Sequence, residues 1–255
     1  MSGEAPRHAI VTGATAGLGR ALADRLLATG WGVVGVDRNP PALPLGKSYE
    51  HCRYDLSDAD AVDDLVKRLA ARPDVVDSLE MVVLCAGVSA TGRFERLPAE
   101  AHERVLAVNA EAPLVLADAL LAAGWSRGVL VLVASLSVDV GYPGAASYAA
   151  SKDALAAYGR SLTKARRRPR VLTVLPGPIR TEHAARHAPE GSSDARRMDP
   201  NELADRILRA ARRGGGTLRP GVAATLAGGF GRLAPGMAAR LMRRGLFDRL
   251  TEERW

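Results

Sequence analysis

Short runs of β-branched and other apolar residues alternate along the chain with longer Ala- and Leu-rich stretches. That alternation is the mark of repeated strand–helix units building a parallel sheet. The runs predict strands at His8–Thr12, Gly32–Asp37, Glu50–Tyr54, Ser78–Leu84, Gly128–Ser135, Arg170–Leu175 and a short one near Thr217–Leu218. Val129 to Val133 is apolar at every position, as a strand covered on both faces should be. The intervening stretches predict helices over Gly17–Thr29, Asp58–Arg72, Pro98–Ala123, Ser147–Arg167 and Asn201–Arg212, with Asp58 and Asn201 as N-caps. The expected fold class is α/β, a doubly wound parallel sheet of about seven strands with helices on both faces. Two stretches break the alternation. Pro178–Pro200 mixes Pro, Gly, Ser, His and Arg and reads as a mobile loop over a cleft. The tail from Arg219 is Gly-rich at Gly228-Gly229, then helical in pattern from Pro235 to Arg244. With no internal repeat and no linker, residues 1–255 are expected to form a single domain, its core at about 7–219.

Composition narrows the classes. The 255 residues are 47% apolar, enough for a core without covalent staples. Cys52 and Cys85 cannot build a disulfide framework, and no CxxC or Cys/His spacing suggests zinc, so a reducing, cytoplasmic setting is expected. No apolar leader opens the sequence, and the longest apolar run, Val129 to Ala134, is too short to span a bilayer. The formal charge of +7 is uneven: residues 1–159 hold 14 Lys+Arg against 19 Asp+Glu, residues 160–255 hold 21 against 9. With 4% aromatics and no nucleic-acid motif, base stacking is not expected, and the Arg-rich half reads as a solvated face or a surface for an acidic partner.

After the first predicted strand comes Thr12-Gly13-Ala14-Thr15-Ala16-Gly17-Leu18-Gly19, leading into a helix. Glycines there permit a tight turn and close backbone approach to a pyrophosphate, and the free N–H groups of the helix start attract phosphate. Asp37, at the end of the second strand, can accept hydrogen bonds from both ribose hydroxyls of an adenosine and repel a 2′-phosphate. The spacing G-x3-G-x-G resembles the short-chain dehydrogenase/reductase family, which implies a Rossmann-type sheet. By that resemblance Asp55-Leu56 flanks the adenine. Cys85-Ala86-Gly87 matches the end of the family's N-N-A-G motif, with Leu84 and Cys85 in place of both asparagines. Arg38 stands where NADP-preferring relatives carry a basic residue, but Asp37 and the uncharged Ala16 favour NAD over NADP.

Tyr148-Ala-Ala-Ser-Lys152 puts a phenol and an ammonium on one helical face. Ser135 and Asn109 fall where the family places its remaining catalytic residues. The resemblance implies Tyr148 as general acid/base, its pKa lowered by Lys152, and Ser135 as a donor to the substrate oxygen. Asn109 would hold a water that relays protons, or be no more than a kink residue satisfied locally. Pro176-Gly177-Pro178-Ile179-Arg180-Thr181 matches the family's P-G-x-x-x-T, where Pro176, Gly177, Ile179 and Thr181 meet the nicotinamide carboxamide. His183 and His187 read as solvated loop residues, and no metal is expected. Cys85 reads as a small buried apolar residue. Ser137 reads as a cleft-lining residue.

These features imply an oxidoreductase moving a hydride between NAD(P) and a secondary alcohol or ketone. Two rivals are an NADP-dependent ketoreductase acting on a carrier-tethered acyl group and a catalytically silent NAD-sensing protein. A homodimer or homotetramer is expected through the helices at 98–123 and 147–167. In the tail, Met237, Leu241, Met242, Leu246 and Leu250 share one face among arginines. A basic amphipathic helix can lie on an anionic membrane, but the short run broken by Gly245 reads as a lid or interface helix, and no membrane partner is expected.

Overall fold

A computed structural model describes residues 7–42, 45–165, 167–188, 197–245, 247–250 and 252–255. Seven strands form one parallel sheet in the order β3-β2-β1-β4-β5-β6-β7. They are β1 His8–Thr12, β2 Gly32–Asp37, β3 Tyr49–Arg53, β4 Leu79–Leu84, β5 Val129–Val133, β6 Arg170–Val174 and β7 Gly216–Leu218. Each lies within a residue or two of its predicted bounds. The order reverses beside β1, between β1 and β4, and sheets of this kind bind ligands in the crevice at such a point, outside the carboxyl ends of the strands.

The helices are α1 Gly17–Ala28, α2 Ala59–Ala70, α3 Pro73–Val76, α4 Ala99–Leu106, α5 Ala112–Ala122, α6 Ser137–Val140, α7 Ala146–Ala165, α8 Glu182–Arg186, α9 Pro200–Arg213, α10 Val222–Leu233 and α11 Pro235–Gly245. One face of the sheet packs its Leu, Val and Ile side chains against α2, α5 and α7. The other packs against α1 and α9. On the first face Trp125 is fully buried and its indole N–H donates to the Leu79 carbonyl at 2.9 Å, a polar anchor inside the apolar layer.

Four expectations are corrected here. The helix predicted over Asp58–Arg72 ends at Ala70, and Pro73 starts the separate turn α3. Asp58 does cap α2, accepting from the N–H groups of Asp60 and Ala61. The cap of α9 is Asp199 rather than Asn201: its carboxylate accepts from Asn201 N at 2.8 Å, because Pro200 lacks an N–H and occupies the first helical turn. The stretch Pro98–Ala123 is interrupted by a π-turn at Ala107–Glu111, centred on Asn109. Finally, the tail holds α10, which the Gly-rich reading missed. Its glycines Gly228 and Gly231 lie buried against α6, so they are packing residues of a helix rather than a loop.

The helix Ala99–Ala122 is apolar and long enough to cross a membrane by composition. Here it packs on α2 and α7 as part of the sheet's covering layer.

Candidate active site

The carboxyl ends of β1, β4, β5 and β6 converge on one crevice, and short polar contacts lock them together. Thr12 at the end of β1 accepts, through its hydroxyl, from Cys85 N and Ala86 N, both at 3.0 Å. These bonds tie β1 to β4 where the family's asparagines are replaced by Leu84 and Cys85. Gly13 (φ +70°) and Gly17 (φ +52°) adopt left-handed backbone. A Cβ on Gly19 would lie 2.0 Å from the Gly13 carbonyl oxygen, so only glycine lets α1 begin this close to the turn. Ala16 is the N-cap of α1 and offers no side-chain acceptor, and the first turn of α1 has no acidic residue. The leading N–H groups, those of Gly17, Leu18 and Gly19, therefore remain directed at the crevice for an anion.

Asp37 closes the β2 side of the crevice. Its Oδ2 accepts from Thr15 N at 3.2 Å and its Oδ1 from Asn39 N at 3.0 Å. Beside it, the Arg38 guanidinium turns to Asp55, Nη1 to Oδ2 at 3.8 Å. Burial raises the Asp55 pKa, but hydrogen bonds from Ser57 N and Oγ, with Arg38 nearby, outweigh it and leave the carboxyl below its ordinary value. Leu56 is buried behind it.

On the other side of the crevice, Asn109 projects from the π-turn. Its Nδ2 donates to Val88 O at 2.9 Å and Ser151 Oγ at 3.1 Å, and its Oδ1 accepts from Val88 N at 2.8 Å. The Asn109 side chain thus clamps the loop after β4 to α7. Gly87 sits in this clamp, its Cα side 3.4 Å, measured from an ideal Cβ, from both Asn109 Oδ1 and Lys152 Nζ. Lys152 is buried and donates to the Val133 carbonyl at 2.9 Å. Its Nζ lies 5.9 Å from the centroid of the Tyr148 ring. Burial lowers the Lys152 pKa to about 8. Burial also raises the Tyr148 pKa above its ordinary value, only partly opposed by a hydrogen bond with Ser135. The expected lowering of the phenol by Lys152 is therefore not seen: the ammonium is itself desolvated and turned toward Val133. Cys85 is pushed up to about 12 by burial, which leaves its thiol protonated and unreactive.

The Lys152 shift carries a stability consequence. Between pH 8 and 10.5 the unfolded chain holds a proton that the folded chain releases, so the cost of the buried cation is complete below pH 8 and fades as pH rises to 10.5. Lys152→Met is expected to be more stable than the parent near neutral pH by about 2 kcal/mol, the desolvation gain less one hydrogen bond. Thermal melts of both proteins across the alkaline range check this. A variant less stable at neutral pH, or a gap that stays constant as pH rises, contradicts it.

Ser135 Oγ accepts from Ser137 N at 3.1 Å, and Leu136 N donates to Pro176 O at 2.9 Å, joining the ends of β5 and β6. The Ser137 hydroxyl oxygen is buried and has no hydrogen-bond partner among the described residues, a feature that sequence reasoning passed over. Gly177 is open, and Ile179 pairs with Met198 in a short parallel bridge, which gives the loop after β6 a defined stem. Thr181 caps α8, its Oγ1 accepting from Ala184 N at 3.1 Å, and its methyl lies 3.1 Å from where a Gly17 Cβ would stand. Residues 189–196 of the predicted mobile loop lie outside the described residues.

Two further corrections concern the mouth. His187 is buried rather than solvated, with Nδ1 3.2 Å from Thr91 Oγ1, and burial lowers its pKa. The segment after α11 forms a strap: Thr91 and Arg254 exchange both backbone hydrogen bonds at 2.8 Å, and Arg254 Nη1 donates to the carbonyls of Arg186 and Ala188. The strap therefore joins the loops after β4 and β6, and Leu250 packs on Gly144 in the loop after β5. It is this segment, and not α11, that bonds to the loops at the carboxyl ends of the strands. An open depression lined by Val138, Asp139, Asp153, Ala154, Ala157, Arg160 and Arg232 includes none of the crevice residues.

Residues 7–191 match the family described as short chain dehydrogenase. The chain belongs to the short-chain dehydrogenase/reductase family. An uncharacterized oxidoreductase of Myxococcus xanthus (strain DK1622) is 34% identical over 191 residues, covering 70% of this chain and 74% of that protein. The 3-oxoacyl-(acyl-carrier-protein) reductase of Escherichia coli (strain K12) is 28% identical over 183 residues, 68% of this chain and 74% of that one. Among solved structures, a short chain dehydrogenase from Burkholderia cenocepacia J2315 in complex with NADP superposes with TM-score 0.75 at 26% identity, over 93% of this chain and 98% of that one. This short-chain dehydrogenase/reductase is thus an oxidoreductase of a family whose members bind NAD(P).

Proposed function

We propose that this enzyme interconverts a secondary alcohol and its ketone, with Tyr148 as the general acid/base. The observation that carries the reading is the convergence of Tyr148, Lys152 and Ser135 at the carboxyl ends of β5 and β6, facing the glycine turn across one crevice. The residues fit a nicotinamide dinucleotide. The Gly13–Gly19 turn and the uncapped start of α1 suit a pyrophosphate, and Asp37 suits ribose hydroxyls. Asp55, Leu56, Cys85, Ala86 and Gly87 would border the adenosine half, and Pro176, Gly177, Ile179 and Thr181 the nicotinamide. When bound, that group supplies or accepts the hydride.

The protein's own part is proton transfer and charge stabilisation. With its pKa raised, the Tyr148 phenol is protonated at neutral pH and suits donation to a carbonyl oxygen that gains negative charge. Ser135 donates a hydrogen bond to that oxygen, and Ser137, buried and unpartnered, is free to donate to a second polar atom of the substrate. Lys152 holds positive charge beside the phenol. Asn109 acts as a positioning residue through its clamp on Val88 and Ser151.

NAD is the preferred cofactor in this reading. The Asp37 carboxylate repels a 2′-phosphate, and Arg38 is engaged with Asp55. Fluorescence titration is expected to show NADH binding at least about tenfold more tightly than NADPH, a difference of roughly 1.4 kcal/mol. Asp37→Ser should erase that preference. Tighter NADPH binding by the parent refutes it.

A second reading, reduction of an acyl group tethered to an acidic carrier, is favoured by the arginines around the mouth, Arg93, Arg96, Arg186 and Arg254, and by the similarity to the E. coli reductase. A homodimer or homotetramer is proposed through α4, α5 and α7, where Leu106 of α4 and Val115 of α5 leave apolar surface uncovered.

A further inference from the structure

The two helices of the tail present apolar side chains outward. On α10 the buried positions are Ala224, Gly228 and Gly231. At 100° per residue Val222, Leu226 and Leu233 point to the opposite side, and they are 75%, 68% and 90% exposed. The same spacing of three to four residues continues into α11, where Met237 and Leu241 are each 57% exposed while Ala238 faces inward. Of the residues grouped with them in the sequence, Leu246 lies outside the described residues and Leu250 packs on Gly144. Exposed large apolar residues scattered singly need no explanation, but five of them on two successive helices mark an interaction surface.

Charge identifies the occupant. From residue 220 to 247 the chain carries four arginines and no Asp or Glu. Arg232 is committed to Asp139 and Arg243 lies near Asp248, whereas Arg240 and Arg244 fall beside Met237 and Leu241 on the exposed side of α11. A second copy on this stripe would bring arginine against arginine with no counter-charge from the same segment. A folded acidic protein or peptide would answer the arginines but not the five exposed apolar side chains. Outward leucines and a methionine flanked by arginines are what an interfacial helix presents to acyl chains and anionic headgroups.

We propose that α10 and α11 dock this enzyme peripherally on a bilayer surface containing anionic lipid, with Val222, Leu226, Leu233, Met237 and Leu241 entering the headgroup boundary and Arg240 and Arg244 meeting the phosphates. The exposed side chains point away from the face of α10 that packs on α6, so substitutions among them leave the crevice residues untouched. It also gives the positive excess of the C-terminal part a use.

The test is co-sedimentation of the full-length protein with large unilamellar vesicles of phosphatidylcholine mixed with phosphatidylglycerol, and of phosphatidylcholine alone. The mixed vesicles are expected to bind the protein, more weakly as salt is raised, and the neutral ones to bind it at least about tenfold less. Leu226→Glu with Leu233→Glu, and separately Arg240→Glu with Arg244→Glu, should each lower partitioning at least about tenfold and leave the circular dichroism spectrum and nicotinamide binding unchanged. If the leucine variant fails to fold, the arginine pair, fully surface-placed, decides alone. No sedimentation by the parent overturns the proposal, as does equal binding by the folded variants. So does light scattering that shows the stripe buried between two copies, with the leucine variant monomeric and the parent ignoring vesicles.

Discussion

Tyr148→Phe is expected to lower kcat/KM for ketone reduction about thousandfold, within the range that a positioned general acid contributes. The loss should fall on kcat, because the phenol's proton matters only as charge builds on the substrate oxygen. The ring stays: it packs edge-on against Tyr142 at 6.1 Å between centroids, and Phe preserves that contact, so folding should be little changed. Nicotinamide binding should move by less than about twofold, since the cradle is built from the β1 turn and Asp37. The measurement is steady-state kinetics over a panel of ketones and alcohols beside a cofactor titration. A parent that binds NADH yet turns over nothing in the panel, with the variant indistinguishable from it, would support the silent-sensor alternative. Activity within tenfold of the parent would remove Tyr148 from the proton-transfer role.

Asp139→Ala should destabilise the fold where the tail packs on α6. The carboxylate is 1% exposed and accepts from Arg219 Nε at 2.8 Å and Nη2 at 3.2 Å, and from Arg232 Nε at 2.8 Å. Removing one partner of a buried ion pair costs about 3–5 kcal/mol when the other charge stays buried. Arg219 is 17% exposed and Arg232 60%, so water rescues the second guanidinium more than the first. A loss of about 2–3 kcal/mol is expected, a fall in Tm of roughly 5–10 °C for a chain this size. Because Arg219 and Arg232 bracket α10, limited proteolysis should cut the tail faster in the variant. A Tm within a degree of the parent would show that the cluster is held by packing around Gly228 and Gly231 and not by its charges.

The sheet was legible because its strands are read by a local rule: β5, apolar at all five positions, announces its own burial. The crevice was legible for a related reason, since its residues sit at strand ends and helix starts, which order along the chain fixes. Long-range contacts were not legible. Nothing in the sequence near His187 says that Thr91 will meet it, and the α10 glycines read as breakers because the backbone they pack on belongs to α6, far away in sequence. The Lys152 expectation failed on electrostatics. Helical spacing places the ammonium beside the phenol, but only the three-dimensional surroundings show that both are desolvated and that the ammonium donates to the Val133 carbonyl.

The strap at Thr91 and Arg254 joins residues 163 positions apart. Closing so long a loop carries a large entropic cost that local contacts do not repay, so the mouth is assembled late, after the turn at Gly13–Gly19 and its neighbouring strands have formed. The mouth of the crevice is thereby held to the sheet by a few hydrogen bonds over loops. Changes in that strap would reshape the mouth while the glycine turn beneath it stays the same.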